Sequence, residues 1–190
     1  LRSLAEQGDE ILAHRHLAVE VDVYHPLEGV HVHVLDGAAV AGGCISACAC
    51  DYRLVAQDAG PIGASELVVG VPFPVAALEV LRHASGRHTD DLVYTGRLLA
   101  PDEAVALGLV HETVPAEGLV ESAVARAEAL SRIPASAFRL TKGQLRGPVL
   151  ERIARDSARV DAEVRRAWSS AEATAGIAAQ LDRLRAPRPA

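Results

Sequence analysis

The apolar positions of the chain change period along its length. Residues 30–35 (VHVHVL) alternate β-branched and polar side chains, which is the period-two signature of a strand. Asp36-Gly37 closes that run with a turn signal. Gly42-Gly43 then interrupts the chain, residues 44–50 read as a short helix of small side chains, and residues 52–56 (YRLVA) as a second apolar strand. Further forward, Leu1, Leu4, Ile11 and Leu12 fall at loosely helical spacing across residues 1–17, and residues 19–24 alternate valine with acids as a strand would.

Beyond Val71-Pro72-Phe73-Pro74 the period becomes helical. Helices are predicted over 75–84 and 90–95, and over 101–107, where Pro101 opens the first turn, Asp102 and Glu103 follow, and Gly108 stops it. Residues 109–114 return to an extended path. Leu119, Val120, Ala123, Val124, Ala127 and Leu130 then draw an apolar helical stripe. Pro134 precedes a helix over 135–146, and residues 149–184 form a long amphipathic, arginine-rich helix with a break expected near Gly176. Strands in front and helices behind give an α/β chain with a helical region at its C-terminal end.

Composition narrows the function. The 190 residues are 49% hydrophobic but only 3% aromatic, so the core has to be built from Ala, Val and Leu at close range. A formal charge of −6 with few aromatics argues against nucleic acid as a partner. Cys44, Cys48 and Cys50 are odd in number and closely spaced, so they read as reduced thiols of a cytoplasmic protein rather than as a disulfide framework. No apolar run reaches the roughly 20 residues of a membrane span, and the first residues do not read as a signal peptide. Zinc held by those cysteines with His31 and His33 is the rival reading, but strand spacing does not turn the histidines toward the cysteines; no metal is expected.

Two features carry candidate chemistry. Glycines immediately before a helix let a ligand approach the backbone, and a free N–H there stabilises developing negative charge; the same pair also serves tight packing. Glu66 lies between Gly63 and Gly70 and is followed by Leu67-Val68-Val69, a setting that suits a half-buried carboxyl with a raised pKa.

Taken together, these blocks resemble the crotonase (enoyl-CoA hydratase/isomerase) superfamily. The stretch D-G-A-A-V-A-G-G-C-I-S-A-C-A-C-D-Y-R-L-V-A is followed by I-G-A-S-E-L-V-V-G, by Y-T-G-R, by residues 100–110 with their L-G-L-V, and by I-P-A-S-A-F-R-L-T-K, in the family's order. The resemblance implies a β-β-α superhelix, N-terminally incomplete. Its partial α/β core would span 1–130, and a helical region at 131–190 would serve trimerisation and cover coenzyme A. It implies an acyl-CoA thioester as substrate, with coenzyme A part of the substrate and no separate cofactor, and a homotrimer or hexamer as assembly. By the same resemblance the Gly42 N–H is one of two oxyanion donors and Glu66 the catalytic acid/base. Gly43, Ile45 and Lys142 are expected at the substrate. Hydratases carry a second carboxylate where this chain has Ile45, which favours a shift of the double bond from 3-enoyl-CoA to 2-enoyl-CoA. Hydration, or a crotonase-like remnant without activity, are the alternatives. The block that supplies the other oxyanion donor in the family is expected to precede Leu1, because Leu1-Arg2-Ser3-Leu4 resembles the residues that follow it.

Overall fold

The computed structural model describes residues 16–21, as a backbone strand, and residues 29–185. The alternation over 30–35 becomes β2 (Val30–Leu35), flanked by β1 (His16–Val21) and β4 (Tyr52–Ala56), with β6 (Glu112–Val114) beyond β4. The sheet order is β1-β2-β4-β6; β1 is antiparallel to β2, and the other pairs are parallel. Parallel neighbours need a crossover on one face of the sheet, and here the first crossover contains α1 (Gly42–Cys48). A second, two-stranded sheet pairs β3 (Ala39–Val40) with β5 (Ile62–Gly63) in parallel.

Both faces of the main sheet are covered. Val30, Val32, Val34, Leu54 and Ala56 pack against Leu119, Ala123, Ala127 and Leu130 of α5 (Leu119–Ser131), while Val120 and Val124 of the predicted stripe are exposed. Leu35 and Val55 point the other way, into a cluster with Cys44, Ala47 and Cys48 of α1, Leu81 of α2 (Val75–Ser85), and Leu92 and Val93 of α3 (Thr89–Thr95). His33 lies on that second side and is buried too. The small side chains of α1 allow this approach, since a cysteine or alanine keeps the helix close to the strands it covers.

α4 (Pro101–Ala106) starts at the predicted proline. The C-terminal helices differ from expectation. α6 (Ala135–Trp168) runs unbroken through Gly147 and Pro148, where two helices are predicted. Proline removes one backbone donor but does not forbid a helix that tertiary packing holds on both sides. Before the proline Lys142 and Arg146 bind Asp51, and after it α2 takes over: its buried Glu79 pairs with Arg82 and with Arg152 of α6. Asp161 of α6 also accepts the Val75 N–H at 2.9 Å, which caps α2 from outside its own sequence.

The break expected near Gly176 falls instead at Ser169-Ser170. Ser170 Oγ accepts the Ala173 N–H at 3.1 Å and so caps α7 (Ala171–Arg185). At the same junction Trp168 donates its indole N–H to the Pro72 carbonyl at 2.9 Å. Gly176 sits inside α7. The strand expected over 19–24 overlaps β1 at residues 19–21, and residues 22–24 lie outside the described residues. Of the loose helix over 1–17, residues 1–15 lie outside the described residues.

Candidate functional site

The loop into α1 is the most constrained backbone in the described residues. Ala41 has φ 54° and ψ −124°, and it is the only non-glycine with positive φ among them. That conformation belongs to glycine and costs an alanine on the order of 1–3 kcal/mol. It is held by sheet pairing: Ala41 donates its N–H to the Gly63 carbonyl at 2.8 Å, one step beyond the Val40–Gly63 pair. On its other side Gly63 lies close against the segment after α3, where a Cβ would be 2.8 Å from the Arg97 carbonyl oxygen.

After this turn α1 begins without a side-chain cap. Ile45 donates its N–H to Ala41 O at 3.1 Å, while no acceptor for the Gly42 N–H is found among the described residues. A Cβ built on Gly42 would meet nothing within 4 Å among the described residues. Gly43 and Ile45 are half-buried, and Ile45 packs its side chain on the core beneath α1.

The β3–β5 pairing carries Glu66 to the same end of α1. Glu66 opens a 3₁₀ turn (Glu66–Val69), fixed by Val68 N–H to Ser65 O, Gly70 N–H to Leu67 O and Val71 N–H to Glu66 O, at 3.0–3.1 Å. Its side chain is 7% exposed, and Oε2 has no hydrogen-bond partner among the described residues. Burial pushes the Glu66 carboxyl above the usual carboxylate range. The charge of Glu66 is felt on α1 itself. A hydrogen bond with Cys48 and burial hold the Cys44 thiol well above its ordinary value, and Glu66 adds to that rise. A buried, unpartnered carboxyl oxygen near an open stretch of glycine backbone is suited to taking and returning a proton.

Lys142 is placed elsewhere. Its ammonium donates to Asp51 Oδ2 and to the Gly29 carbonyl, both at 2.7 Å, at the C-terminal end of α1. Arg146 binds the other oxygen of Asp51 at 3.1 Å and the carbonyls of Ala49 and Cys50 at 2.8 and 3.2 Å. Asp51 also ties down β2, accepting the His31 N–H on Oδ2 and donating its own N–H to the His31 carbonyl, each at 2.9 Å. Arg53, buried, donates to the carbonyls of Leu109 at 2.7 Å and Cys50 at 3.0 Å. Beside this group a cavity of about 210 Å³ is lined by Asp51, His83, Phe138, Lys142 and Arg146, among others. Burial, with Arg146 and Arg53 nearby, holds the His83 imidazole below its ordinary value.

The structure thus sets Glu66 within electrostatic reach of Cys44 on α1, the helix that holds Gly42, Gly43 and Ile45, and sets Lys142 in a separate ionic cluster. The sequence reading did not single out Asp51 or Arg146, or the buried role of Arg53. The C-D-Y-R run was the available signal, since an acid and a base flanking a strand start call for partners when buried. Among the described residues no group of three His, Cys, Asp or Glu is disposed to hold a metal, and no helix is long and apolar enough to cross a membrane.

The comparisons with known proteins agree with this layout. Human mitochondrial enoyl-CoA delta isomerase 1 is 32% identical over 126 residues, which are 65% of this chain and 42% of that protein. A putative enoyl-CoA hydratase of Thermus thermophilus is 35% identical over 111 residues, 58% of this chain and 44% of its own length. The chain therefore spans less than half the length of these relatives. The crystal structure of human mitochondrial delta3-delta2-enoyl-CoA isomerase superposes with a TM-score of 0.69 at 30% identity, covering 78% of this chain and 58% of that one. The α/β core and the C-terminal helices are thus arranged as in the crotonase fold, with both isomerases and hydratases among the relatives. The enoyl-CoA hydratase/isomerase family model matches residues 22–186, nearly the whole of the chain, and the chain belongs to that family.

Proposed function

We propose that this chain carries the acid/base carboxyl and one oxyanion donor of an enzyme that moves the double bond of a 3-enoyl-CoA to position 2. The supporting observation is Glu66: one buried carboxyl, its Oε2 unpartnered among the described residues, at the open end of α1. Where hydratases place a second acid, Ile45 packs into the core instead. Hydration needs one group to deprotonate water and another to handle the proton at C2, whereas isomerisation needs a single group that acts twice.

In this reading Glu66 takes the proton from C2. The C–H electron pair passes into an enolate whose oxygen accepts the Gly42 N–H. The thioester carbonyl then re-forms, the C1–C2 pair becomes the C2=C3 bond, and the former C3=C4 pair takes the proton back from Glu66 at C4. No atom is gained or lost. Holding the carboxyl above its usual range keeps its proton affinity closer to that of the carbon acid it serves.

The test is conversion of a 3-enoyl-CoA by wild type and Glu66→Gln. A fall of about 10²–10⁴-fold in kcat is expected, the range of general acid–base catalysis. Equal rates would remove Glu66 from the mechanism, and efficient water addition to a 2-enoyl-CoA would give the chain to the hydratases.

A further inference from the structure

The carboxyl of Glu66 is only as well placed as the turn that carries it, and that turn is not part of either sheet. Two helices hold it. On one side Gly96, the positive-φ residue that ends α3, lies so near that a Cβ there would be 2.3 Å from Val68 Cγ2. On the other side α7 presents a narrow, partly or fully buried stripe of Ala173, Gly176, Ile177 and Gln180, at helical spacing. Ala173 is fully buried. A Cβ at Gly176 would lie 2.3 Å from the Val69 carbonyl oxygen and 2.9 Å from its carbon, so the helix backbone rests directly on the backbone of the turn.

We propose that Gly176 is a positioning residue for Glu66: by bringing the α7 backbone against Val69, it fixes the 3₁₀ turn and keeps the carboxyl buried at the open end of α1. The proposal rests on the reading of Glu66 given above only for its catalytic consequence; the placement itself is structural. Glycine inside a helix is otherwise a poor choice, since alanine is the better helix former. Gly143 of α6 shows the contrast, because a Cβ there would meet nothing within 4 Å. A methyl group at Gly143 meets none of the described residues, while the same methyl at Gly176 must push Val69 or α7 away, and the obstacle is backbone that cannot rotate aside.

The experiment compares Gly176→Ala with Gly143→Ala in the full chain. Hydrogen exchange is followed at the amides of Val68, Gly70 and Val71, and the Glu66 carboxyl is titrated by NMR. Gly176→Ala is expected to speed exchange in the turn by about tenfold or more, with helix content retained. The Glu66 titration should move down toward an ordinary carboxylate, because the displaced turn admits water. Gly143→Ala should change neither. With a 3-enoyl-CoA, Gly176→Ala should lower kcat more than it changes KM.

Unchanged exchange and an unchanged Glu66 titration in Gly176→Ala would overturn the proposal. If wild type shows no isomerase activity, the functional reading fails while the exchange and titration still decide this one. Should Gly176→Ala not fold, native-state exchange of wild type decides instead. The turn and α7 opening together support the clamp, and a turn that exchanges independently of α7 refutes it.

Discussion

At its C-terminal end α1 gives the carbonyls of Ala49 and Cys50 to Arg146, and Cys50 also to Arg53, and the one carboxylate there is met by an ammonium, a guanidinium and a backbone N–H. At its N-terminal end the same seven-residue helix follows a strained alanine and has no side-chain cap, and its Cys44 feels the charge of Glu66, whose Oε2 has no partner among the described residues. One sequence of small residues therefore has a completed end and an open end. The completed end explains how the open one is tolerated, because strain and orphaned polar groups persist only where surrounding structure over-determines them. It also separates scaffold from candidate chemistry: charges that satisfy one another inside the protein hold it together, and Glu66 is a buried carboxyl outside that network.

Three substitutions sharpen that contrast. The largest effect belongs to the completed end. Asp51→Ala leaves the buried Lys142 ammonium without its counter-ion and strips a bond from Arg146 and from the start of β2. A loss of about 3–5 kcal/mol of stability is expected in urea unfolding, the cost of breaking a buried pair from one side. A loss below about 1 kcal/mol would mean that water reaches the cluster, as at an exposed pair.

At the open end the expected effects are smaller and reversed in sign. Ala41→Gly relieves the positive φ and should stabilise the fold by about 1 kcal/mol, part of the relief being lost to the freer unfolded chain. A destabilising result would show that the Ala41 methyl contributes packing that outweighs its backbone strain. Glu66→Gln is the gentlest. Burial raises the Glu66 pKa in the fold, so between its unfolded and folded values the native state binds more protons, and stability falls as pH rises through that window. The variant, which has no charge to bury, should therefore match or exceed wild type in thermal unfolding at neutral pH. Its advantage should fade as pH falls toward about 4–5, where the unfolded carboxyl also takes its proton. A variant less stable than wild type at every pH would mean that the Glu66 carboxylate is held by favourable contacts rather than left open.

How far the sequence discloses this arrangement depends on the range of the interaction. The alternation in VHVHVL and the apolar YRLVA run are local, and both appear as β2 and β4. Glu66 was legible because family blocks flank it on both sides. Three other features were not. Asp51 and Lys142 are 91 residues apart, and no local pattern announces that an acid after a cysteine waits for a lysine five α-helices later. The Gly147-Pro148 pair reads as a helix break because propensity is local, whereas the bonds that hold α6 on either side of it come from Asp51 and from α2. Gly176 reads as a weak point in a helix for the same reason; its use is visible only when Val69 lies against it. Ser170, by contrast, was there to be read as a helix cap immediately before an alanine-rich run with Glu172 in its first turn.

The bond from Trp168 to Pro72 has a practical side. Trp168 is the single tryptophan of the chain, and it stands at the hinge between α6 and α7, docked on the loop that leaves the Glu66 turn. Nearly all the intrinsic fluorescence excited at the red edge of absorption thus originates from one indole at one joint. A change in its emission colour or quenching reports the seating of that joint without any label, and a rapid-mixing trace with an acyl thioester would be a light signal from the helix that rests on the Glu66 turn.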